Sequence, residues 1–347
     1  MVDLVVNQHI QYHLNRITDK KAFIVTLADL IPNYIQHCYY SDLELTVDLT
    51  YINTCTNDYD VILIDYATNY VRWQFEEPIY KLLSQCILPK PWFILTSDFK
   101  YYNQKHSHII YYPIYLIDGL NRGGNTKIEI KNQRSHNICF LTYHYHLHRI
   151  LVMIELYTQT NFESCLVNLP KLDTLNESQQ QSLSNLFPYL TVDQQQLVNE
   201  MFKLAPLVAD PADPQVNITD LSNRAFSDSY INIFTESDYP KPFVTEKSVK
   251  PFLSGQFFAV FGHPAAYIHL KELGFDLFED YLPMPQSEDF IQDIQELMNI
   301  IINRLIPNIG SVWNDTYERR LHNYNLARSP ELKNKLCYHL RTNLNSI

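Results

Sequence analysis

Short apolar runs without polar interruption are the feature that most constrains how this chain can fold. In the first 120 residues they lie at 60–65, 92–96, 108–112 and 115–117. Runs of this length, rich in β-branched residues, are typical of strands covered on both faces. A helix predicted from about Pro78 within residues 71–87 separates the first two runs. This order of strand, helix and strand predicts a parallel sheet.

The second half of the chain repeats the alternation. Strands are predicted at 138–141, 165–167, 230–234 and 257–261. Helices are predicted at 146–159, 176–187, 192–203, 245–253, 265–273, 287–305 and about 314–340, with a capping box of Thr191 and Gln194 and a cap at Ser287. The turn-forming segment 121–125 contains the only Gly-Gly pair. We therefore expect an α/β chain with Rossmann-like domains at 1–130 and 131–325 and a helical tail at 326–347.

Composition excludes several classes of protein. The formal charge of −11, from 27 Lys and Arg against 38 Asp and Glu, argues against general nucleic-acid binding but allows a small basic pocket for a phosphorylated ligand. Six scattered cysteines predict reduced thiols and a cytoplasmic location. The start has no signal-peptide pattern, and no apolar run approaches ~20 residues, so we expect no integral membrane segment, while peripheral association stays open.

Signatures of several large enzyme classes are missing from the sequence. It contains no Gly-x-Gly-x-x-Gly, no Walker A loop, no Gly-x-Ser-x-Gly and no His-Glu-x-x-His. Common dehydrogenases, P-loop NTPases, serine hydrolases and zinc proteases are therefore disfavoured.

Residues 231–264 carry the densest set of candidate functional residues. A predicted strand ends at Phe234 and places Thr235 and Glu236 at its carboxyl end, and Thr245 then caps a short helix. Carboxyl ends of parallel strands and helix N-termini are where open α/β sheets bind phosphates. This segment therefore predicts an anion site.

The first turn of that helix supplies charged side chains. Glu246 and Lys247 open it, and Lys250 lies on the same helical face as Lys247. A lysine adds a full positive charge to the helix dipole, and a carboxylate accepts hydrogen bonds from sugar hydroxyls. The alternative is an ordinary solvated first turn, in which Glu is favoured in any case.

The stretch TESDYPKPFVTEKSVKPFLSGQFFAVFGHP resembles the donor-binding motif of α1,3-fucosyltransferases and related GT-B glycosyltransferases. It is still more similar to a group of bacterial and phage glycosyltransferase-like proteins, which share a Leu-Gly-Phe-x-x-Phe segment, here at 273–278, and an Arg-containing element, here Leu147-His148-Arg149. The likeness covers about 50 contiguous residues and does not extend over 1–120. One departure is His263-Pro-Ala-Ala266, where relatives often have Gly after Pro.

The resemblance implies a metal-independent GT-B enzyme with two domains that moves a sugar from a nucleotide-sugar donor, GDP-linked by analogy, to a glycan or glycolipid acceptor. The C-terminal domain would hold the donor. The residue roles it implies are phosphate binding by Lys247 and Arg149, contact with ribose or sugar by Glu246, orientation of Lys247 or contact with the sugar by Glu236, and an outer charge at Lys250, all next to the helix cap already inferred at Thr245. A surface arginine is the alternative for Arg149.

An inverting transferase needs a general base, which this architecture would take from the N-terminal domain. Asp65 and Asp98 each follow an apolar strand directly and are the catalytic candidates. Asp118, Glu76 and Glu77 are further candidates. Each aspartate has the alternative role of a helix cap or turn former, and the residues leave open whether transfer inverts or retains configuration.

Two patterns suggest metal binding, but we expect no metal cofactor. His144, His146 and His148 would share one strand face, yet no Cys, Asp or Glu completes a zinc set at the usual spacing. Asp58-Tyr-Asp60 precedes a strand instead of following one, which indicates a turn.

Two other functions stay open. One is an enzyme that modifies a nucleotide sugar, such as an epimerase or a phosphoglycosyl hydrolase, and turnover without an acceptor would distinguish it. The other is a non-catalytic nucleotide-binding or assembly protein, which would bind a nucleotide without turnover.

Overall fold

The computed structural model describes residues 10–11, 14, 18–30, 48–50, 52–55, 57–65, 80–81, 83–85, 87–96, 107–123, 133–142, 145–210, 221–236, 244–285 and 290–347. The chain divides into two compact units. The first comprises residues 1–117 and 333–347, and the second comprises residues 118–332.

A parallel four-stranded sheet forms the first unit's centre. Its strands are β1 (Ala22–Thr26), β2 (Val61–Asp65), β3 (Trp92–Thr96) and β4 (Ile109–Tyr111), in the order β1-β2-β3-β4. Every residue of β2 and β3 is buried, as their unbroken apolar sequences predict. The short helix α1 (Leu27–Leu30) follows β1, and the described residues among 80–84 are helical, in agreement with the predicted helix.

The prediction of a strand at 115–117 was wrong, because these residues belong to helix α2 (Ile114–Gly123). A short apolar run does not by itself distinguish a strand from a buried helix segment. Pro113 directly precedes the first helical residue, and its carbonyl accepts the Ile117 amide at 3.0 Å. Residues 121–123 of the predicted Gly-Gly turn also lie in α2, and residues 124–125 fall outside the described part of the chain.

A second parallel sheet lies in the second unit. Its strands are β5 (His136–Phe140), β6 (Leu166–Val167), β7 (Ser229–Thr235) and β8 (Phe257–Phe261), in the order β6-β5-β7-β8. The two parallel sheets confirm the mixed α/β class with Rossmann-like parallel sheets. Because β7 is a central strand, its carboxyl end lies in the middle of the sheet edge, where such folds bind ligands.

Helices alternate with these strands along the chain and continue to its end. They are α3 (Leu147–Gln159), α4 (Glu177–Leu186), α5 (Val192–Lys203), α6 (Ala225–Asp228), α7 (Glu246–Leu253), α8 (Pro264–Leu273), α9 (Phe290–Ile300), α10 (Ile309–Asp315), α11 (Tyr317–Arg328) and α12 (Pro330–Asn345). A π-helical turn, Ile301–Leu305, continues α9. The capping box of Thr191 and Gln194 is confirmed at α5. Ser287 lies outside the described residues.

The Leu-Gly-Phe-x-x-Phe segment ends α8 and packs under the sheet. Gly274 has a φ of 105°, the left-handed conformation that closes a helix with little strain only for glycine. The Phe275 ring then stacks on Phe252 with centroids 3.9 Å apart, and the Phe278 ring stacks on Phe257 at 4.5 Å. The segment therefore forms part of the hydrophobic core of the second unit.

Two buried arginines hold the amino end of the second sheet. Arg134 donates to the carbonyls of Phe226, Ser229 and Ser254, while Arg320 donates to those of Gly255 and Trp313. Both guanidinium groups also lie over the Trp313 ring, at 4.8 and 3.3 Å from its centroid. Burial lowers the pKa of Arg134 to about 10 and that of Arg320 to about 9. Together with the Trp313 ring, they attach α10 and α11 to the start of the strands.

Trp92 is the corresponding buried tryptophan of the first unit. It lies in β3, and its ring stacks on His108 with centroids 4.5 Å apart. Within the described residues, we find no helix that combines the length and the apolar character needed to cross a membrane.

Candidate functional site

Three elements of the second unit bring the predicted donor-site residues together. The carboxyl end of β7 supplies Thr235, with Glu236 next in the chain, and α7 begins directly after Thr245. The first turn of α3 supplies Arg149. The contacts described below link all three elements through hydrogen bonds, so the site is built around the end of one central strand.

The first turn of α3 is joined to the end of β7 by two consecutive side chains. Arg149 Nε donates to Thr235 Oγ1 at 2.9 Å, and His148 Nε2 donates to the Glu236 carbonyl at 3.1 Å. Burial, together with the charge of Arg149, lowers the pKa of His148 to about 3, so the imidazole is neutral and carries its proton on Nε2. Arg149 itself is only 3% exposed, which excludes the alternative of a surface arginine.

Glu236 is fully buried and fixes the start of α7. Its Oε1 accepts the Thr245 amide at 3.2 Å and the Ser248 hydroxyl, and its Oε2 accepts the Thr245 hydroxyl at 2.7 Å. Gly262 lies alongside, where an added Cβ would be 3.4 Å from Glu236 Cγ. Burial raises the pKa of Glu236, against the opposing effect of the Lys247 charge. With both oxygens occupied, Glu236 is placed to orient its neighbours.

Thr245 connects Glu236 to Lys247 through its hydroxyl group. Its hydroxyl gives its proton to Glu236, which leaves the oxygen as an acceptor for the Lys247 amide at 3.3 Å and for Lys247 Nζ at 3.4 Å. The first of these is the N-cap bond of α7. The predicted cap at Thr245 is therefore confirmed, and it constrains the lysine as well as the helix.

The side chains of Glu246 and Lys247 form an ion pair at the start of α7. Lys247 Nζ lies 3.0 Å from Glu246 Oε1, and the two side chains are 27% and 6% exposed. Among the residues that the structure describes, none donates a hydrogen bond to Glu246 Oε2, although this atom is buried. A buried carboxylate oxygen without a donor is costly in free energy. A hydroxyl or N–H group of a bound molecule would supply the missing hydrogen bond.

Lys250 is directed towards a different part of the unit. Its Nζ lies 5.5 Å from the centroid of the Phe226 ring. Phe226 belongs to α6, which precedes β7, so this contact is at the amino end of that strand. The structure thus brings Arg149, Glu236, Thr245, Glu246 and Lys247 into one site and turns Lys250 away from it.

Of the candidate bases, only some lie in the described residues. Asp65 is the last residue of β2 and is fully buried, whereas Asp98, Glu76 and Glu77 lie outside the described part of the chain. Asp118 does not follow a strand as predicted, because it lies inside α2. Residues 57 and 58 form a turn and Asp60 lies in a bend, in agreement with the turn inferred for Asp58-Tyr-Asp60, and Asp60 accepts the Lys21 amide at 2.8 Å.

The histidine run does not assemble a metal site in the part of the chain that the structure describes. The rings of His146 and His148 stack with centroids 5.6 Å apart, and His144 lies outside the described residues. No group of three His, Cys, Asp or Glu side chains suited to a metal ion occurs among the described residues.

Two contributors to the site were missed by sequence reasoning. Ser248 follows the cap by three residues, the position at which a side chain can turn back towards the helix start, and this spacing could have identified it. Gly119 in α2 lies against Glu246. An isolated glycine in an otherwise apolar helical pattern is a signal of close packing, but its partner cannot be read from sequence.

Comparisons of the chain with protein-family models, with curated proteins and with solved structures gave no match. The donor-site interpretation therefore depends on the residues and their geometry.

Proposed function

We propose that this chain is a glycosyltransferase of the GT-B type and that its second unit binds a nucleotide-sugar donor at the end of β7. The observation that carries the proposal is the buried Oε2 of Glu246, which no described residue supplies with a donor, beside the ammonium group of Lys247. A ligand that satisfies both side chains must offer a hydrogen-bond donor and a negative charge within a few ångströms of each other.

A nucleotide sugar has this combination of groups. Its diphosphate would bind Lys247, near the N-terminus of α7, and Arg149, whose planar fork suits phosphate oxygens. A hydroxyl of the ribose or of the sugar would donate to Glu246. Glu236, with both oxygens occupied by Thr245 and Ser248, would hold the start of α7 in place without touching the donor.

The proposed reaction breaks the bond between the anomeric carbon and the diphosphate and forms a bond from that carbon to an acceptor hydroxyl. The two cations would stabilise the negative charge that develops on the leaving diphosphate. A general base would take the acceptor's proton. Asp65 and Asp98 stay the predicted bases, with a glycan or glycolipid as the acceptor.

Thermal unfolding with GDP, UDP, CMP and their sugar conjugates tests the proposal. A nucleotide at 100 times its dissociation constant should add about 2.7 kcal/mol of stability, which shifts Tm by a few degrees. We expect one nucleotide to stabilise the chain selectively and the shift to vanish in Lys247→Ala and Arg149→Ala. Lys271→Ala is the matched control, because it removes an exposed lysine that pairs with Glu279 in the same unit.

Turnover assays then separate the reaction classes. Release of nucleoside diphosphate that depends on an added glycan supports transfer. Conversion of the nucleotide sugar without an acceptor would identify a nucleotide-sugar-modifying enzyme, and binding without turnover would identify a nucleotide-binding protein. If no nucleotide raises Tm, the donor-site proposal is wrong.

A further inference from the structure

Helix α2 approaches α7 through two glycines that lie one turn apart. At Gly119 an added Cβ would be 3.0 Å from Glu246 Cβ and 3.1 Å from Glu246 Cα. At Gly123 it would be 2.6 Å from Leu253 Cδ1 and 3.3 Å from Leu221 Cδ1. Residues four apart share one helix face, so α2 presents this glycine face to both ends of α7.

A side chain added at each of the two glycines would displace different atoms of α7 and its surroundings. Beside Gly123 the nearest atoms are methyl groups at the ends of leucine side chains, which can rotate away. Beside Gly119 the nearest atoms are the Cα and Cβ of Glu246, which move only if the first residue of α7 moves. The bonds of Thr245 and Ser248 to Glu236 hold that same turn. The position of Glu246 is therefore fixed both by these bonds and by its contact with α2.

We propose that Gly119 is a positioning residue, which sets the place of the Glu246 carboxylate by leaving no side chain between α2 and α7. Two independent observations meet at this contact. A Cβ atom added at Gly119 would lie closer to Glu246 Cα and Cβ than ordinary van der Waals contact allows. The same Glu246 carries the buried Oε2 that lacks a described donor, so a shift of a few tenths of an ångström in its backbone would move the carboxylate to which the proposed function assigns donor binding.

Amide hydrogen exchange tests the positioning without any ligand. The amide of Lys247 donates to Thr245 Oγ1, and that of Ser248 donates to the Thr245 carbonyl, each at 3.3 Å. We expect exchange in residues 244–250 to become faster in Gly119→Ala and faster still in Gly119→Val. Gly123→Ala and Gly123→Val make the same side-chain changes at the last residue of α2, next to leucine methyl groups instead of Glu246, and they should leave this segment unchanged. Equal effects at both positions would overturn the proposal.

Nucleotide binding tests the functional consequence, and this arm rests on the proposed function. The probes are GDP, replaced by UDP or CMP if one of those stabilises the wild-type chain, and inorganic pyrophosphate, which carries no sugar hydroxyl. Gly119→Val should weaken nucleotide binding about tenfold, which is the loss expected for one hydrogen bond to a charged group. Pyrophosphate binding, which depends on Lys247 and Arg149, should change less than about twofold, within the usual error of additivity.

A double-mutant cycle with Glu246→Ala excludes a merely structural role. If Gly119 acts through Glu246, Gly119→Val should cause no further loss of nucleotide affinity in the Glu246→Ala background. A full additional loss there, or an equal loss for pyrophosphate, would show general damage to the unit and overturn the proposal. If the wild-type chain binds none of the three nucleotides, the donor proposal fails, while the exchange experiment still decides the role of Gly119.

Discussion

Glu236 and Glu246 both lie at the start of α7, but their different hydrogen-bond partners give them different roles. Glu236 is fully buried and accepts three hydrogen bonds from Thr245 and Ser248. Glu246 pairs one oxygen with Lys247 and leaves the other without a donor among the described residues. The first carboxyl group therefore holds the start of α7, and the second is the one that the proposed function assigns to donor binding.

The pH dependence of stability should reveal the burial of Glu236. Burial raises its pKa in the folded chain above the ordinary value of 4.5, so above about pH 4.5 the unfolded chain loses this proton first. The folded state then binds more protons, and the contribution of Glu236 to stability falls as pH rises from 4.5 towards the folded pKa. We expect Glu236→Gln to gain stability relative to wild type over this range, measured by urea unfolding.

The opposite trend would be equally informative. If wild type gained stability relative to Glu236→Gln with rising pH, the Lys247 charge and the three donors would outweigh burial, and Glu236 would be a full anion beside the lysine. Nucleotide affinity measured in the same variant separates this electrostatic role from the positioning of Thr245.

At the scale of elements, the close of α8 depends on the backbone conformation of one residue. Gly274 has a φ of 105°, so Gly274→Ala should lower the free energy of unfolding by about 1–2 kcal/mol. Gly310→Ala is the matched control, because Gly310 lies in α10 and its added Cβ would meet no atom within 4 Å. That change should stabilise by about 0.5–1 kcal/mol through helix propensity and a less flexible unfolded chain.

Chemical denaturation of the two variants measures both effects. Stabilisation by Gly274→Ala, or equal destabilisation by both substitutions, would contradict the role assigned to the left-handed cap.

The sequence predicted correctly those strands and helix caps that depend on residues close together in the chain. The strands β3 and β8 agree with the predicted runs, and the caps at Thr191 and Thr245 were read from spacing alone. It failed at 115–117, because a few apolar residues after Pro113 fit a helix start as well as a strand. The Gly119–Glu246 contact was out of reach for another reason: it joins distant parts of the chain, and local patterns do not specify which helices meet.

The same distinction between local and tertiary features applies to the residues of the site. The cluster of Thr245, Glu246 and Lys247 was predicted because all three are consecutive, and Arg149 was placed with it only through the resemblance. That Glu236 is saturated by hydrogen bonds, and that Lys250 is directed towards Phe226, depend on the tertiary structure.

At the scale of the molecule, the second unit has its buried arginines at the amino end of its sheet and the proposed donor site at the carboxyl end. Arg320 lies at the amino end and donates to the carbonyls of Gly255 and Trp313. Arg320→Met should lower the free energy of unfolding by about 3 kcal/mol or more, because buried carbonyls lose their donors. Nucleotide affinity should stay within about twofold, since Glu246 and Lys247 are at the carboxyl end.

Calorimetry with and without nucleotide checks both parts of this expectation. A marked loss of affinity in a variant that is still folded would show that the two ends of the sheet are coupled.

The placement of the buried tryptophans also allows intrinsic fluorescence to report on the unfolding of each unit. Trp92 lies in the first unit and Trp313 in the second, and the chain has one further tryptophan, Trp73. In a Trp73→Phe variant, emission comes from one indole in each unit. Removing Trp92 as well leaves a fluorescence signal from the second unit alone, so its melting can be followed separately while the rest of the chain stays attached.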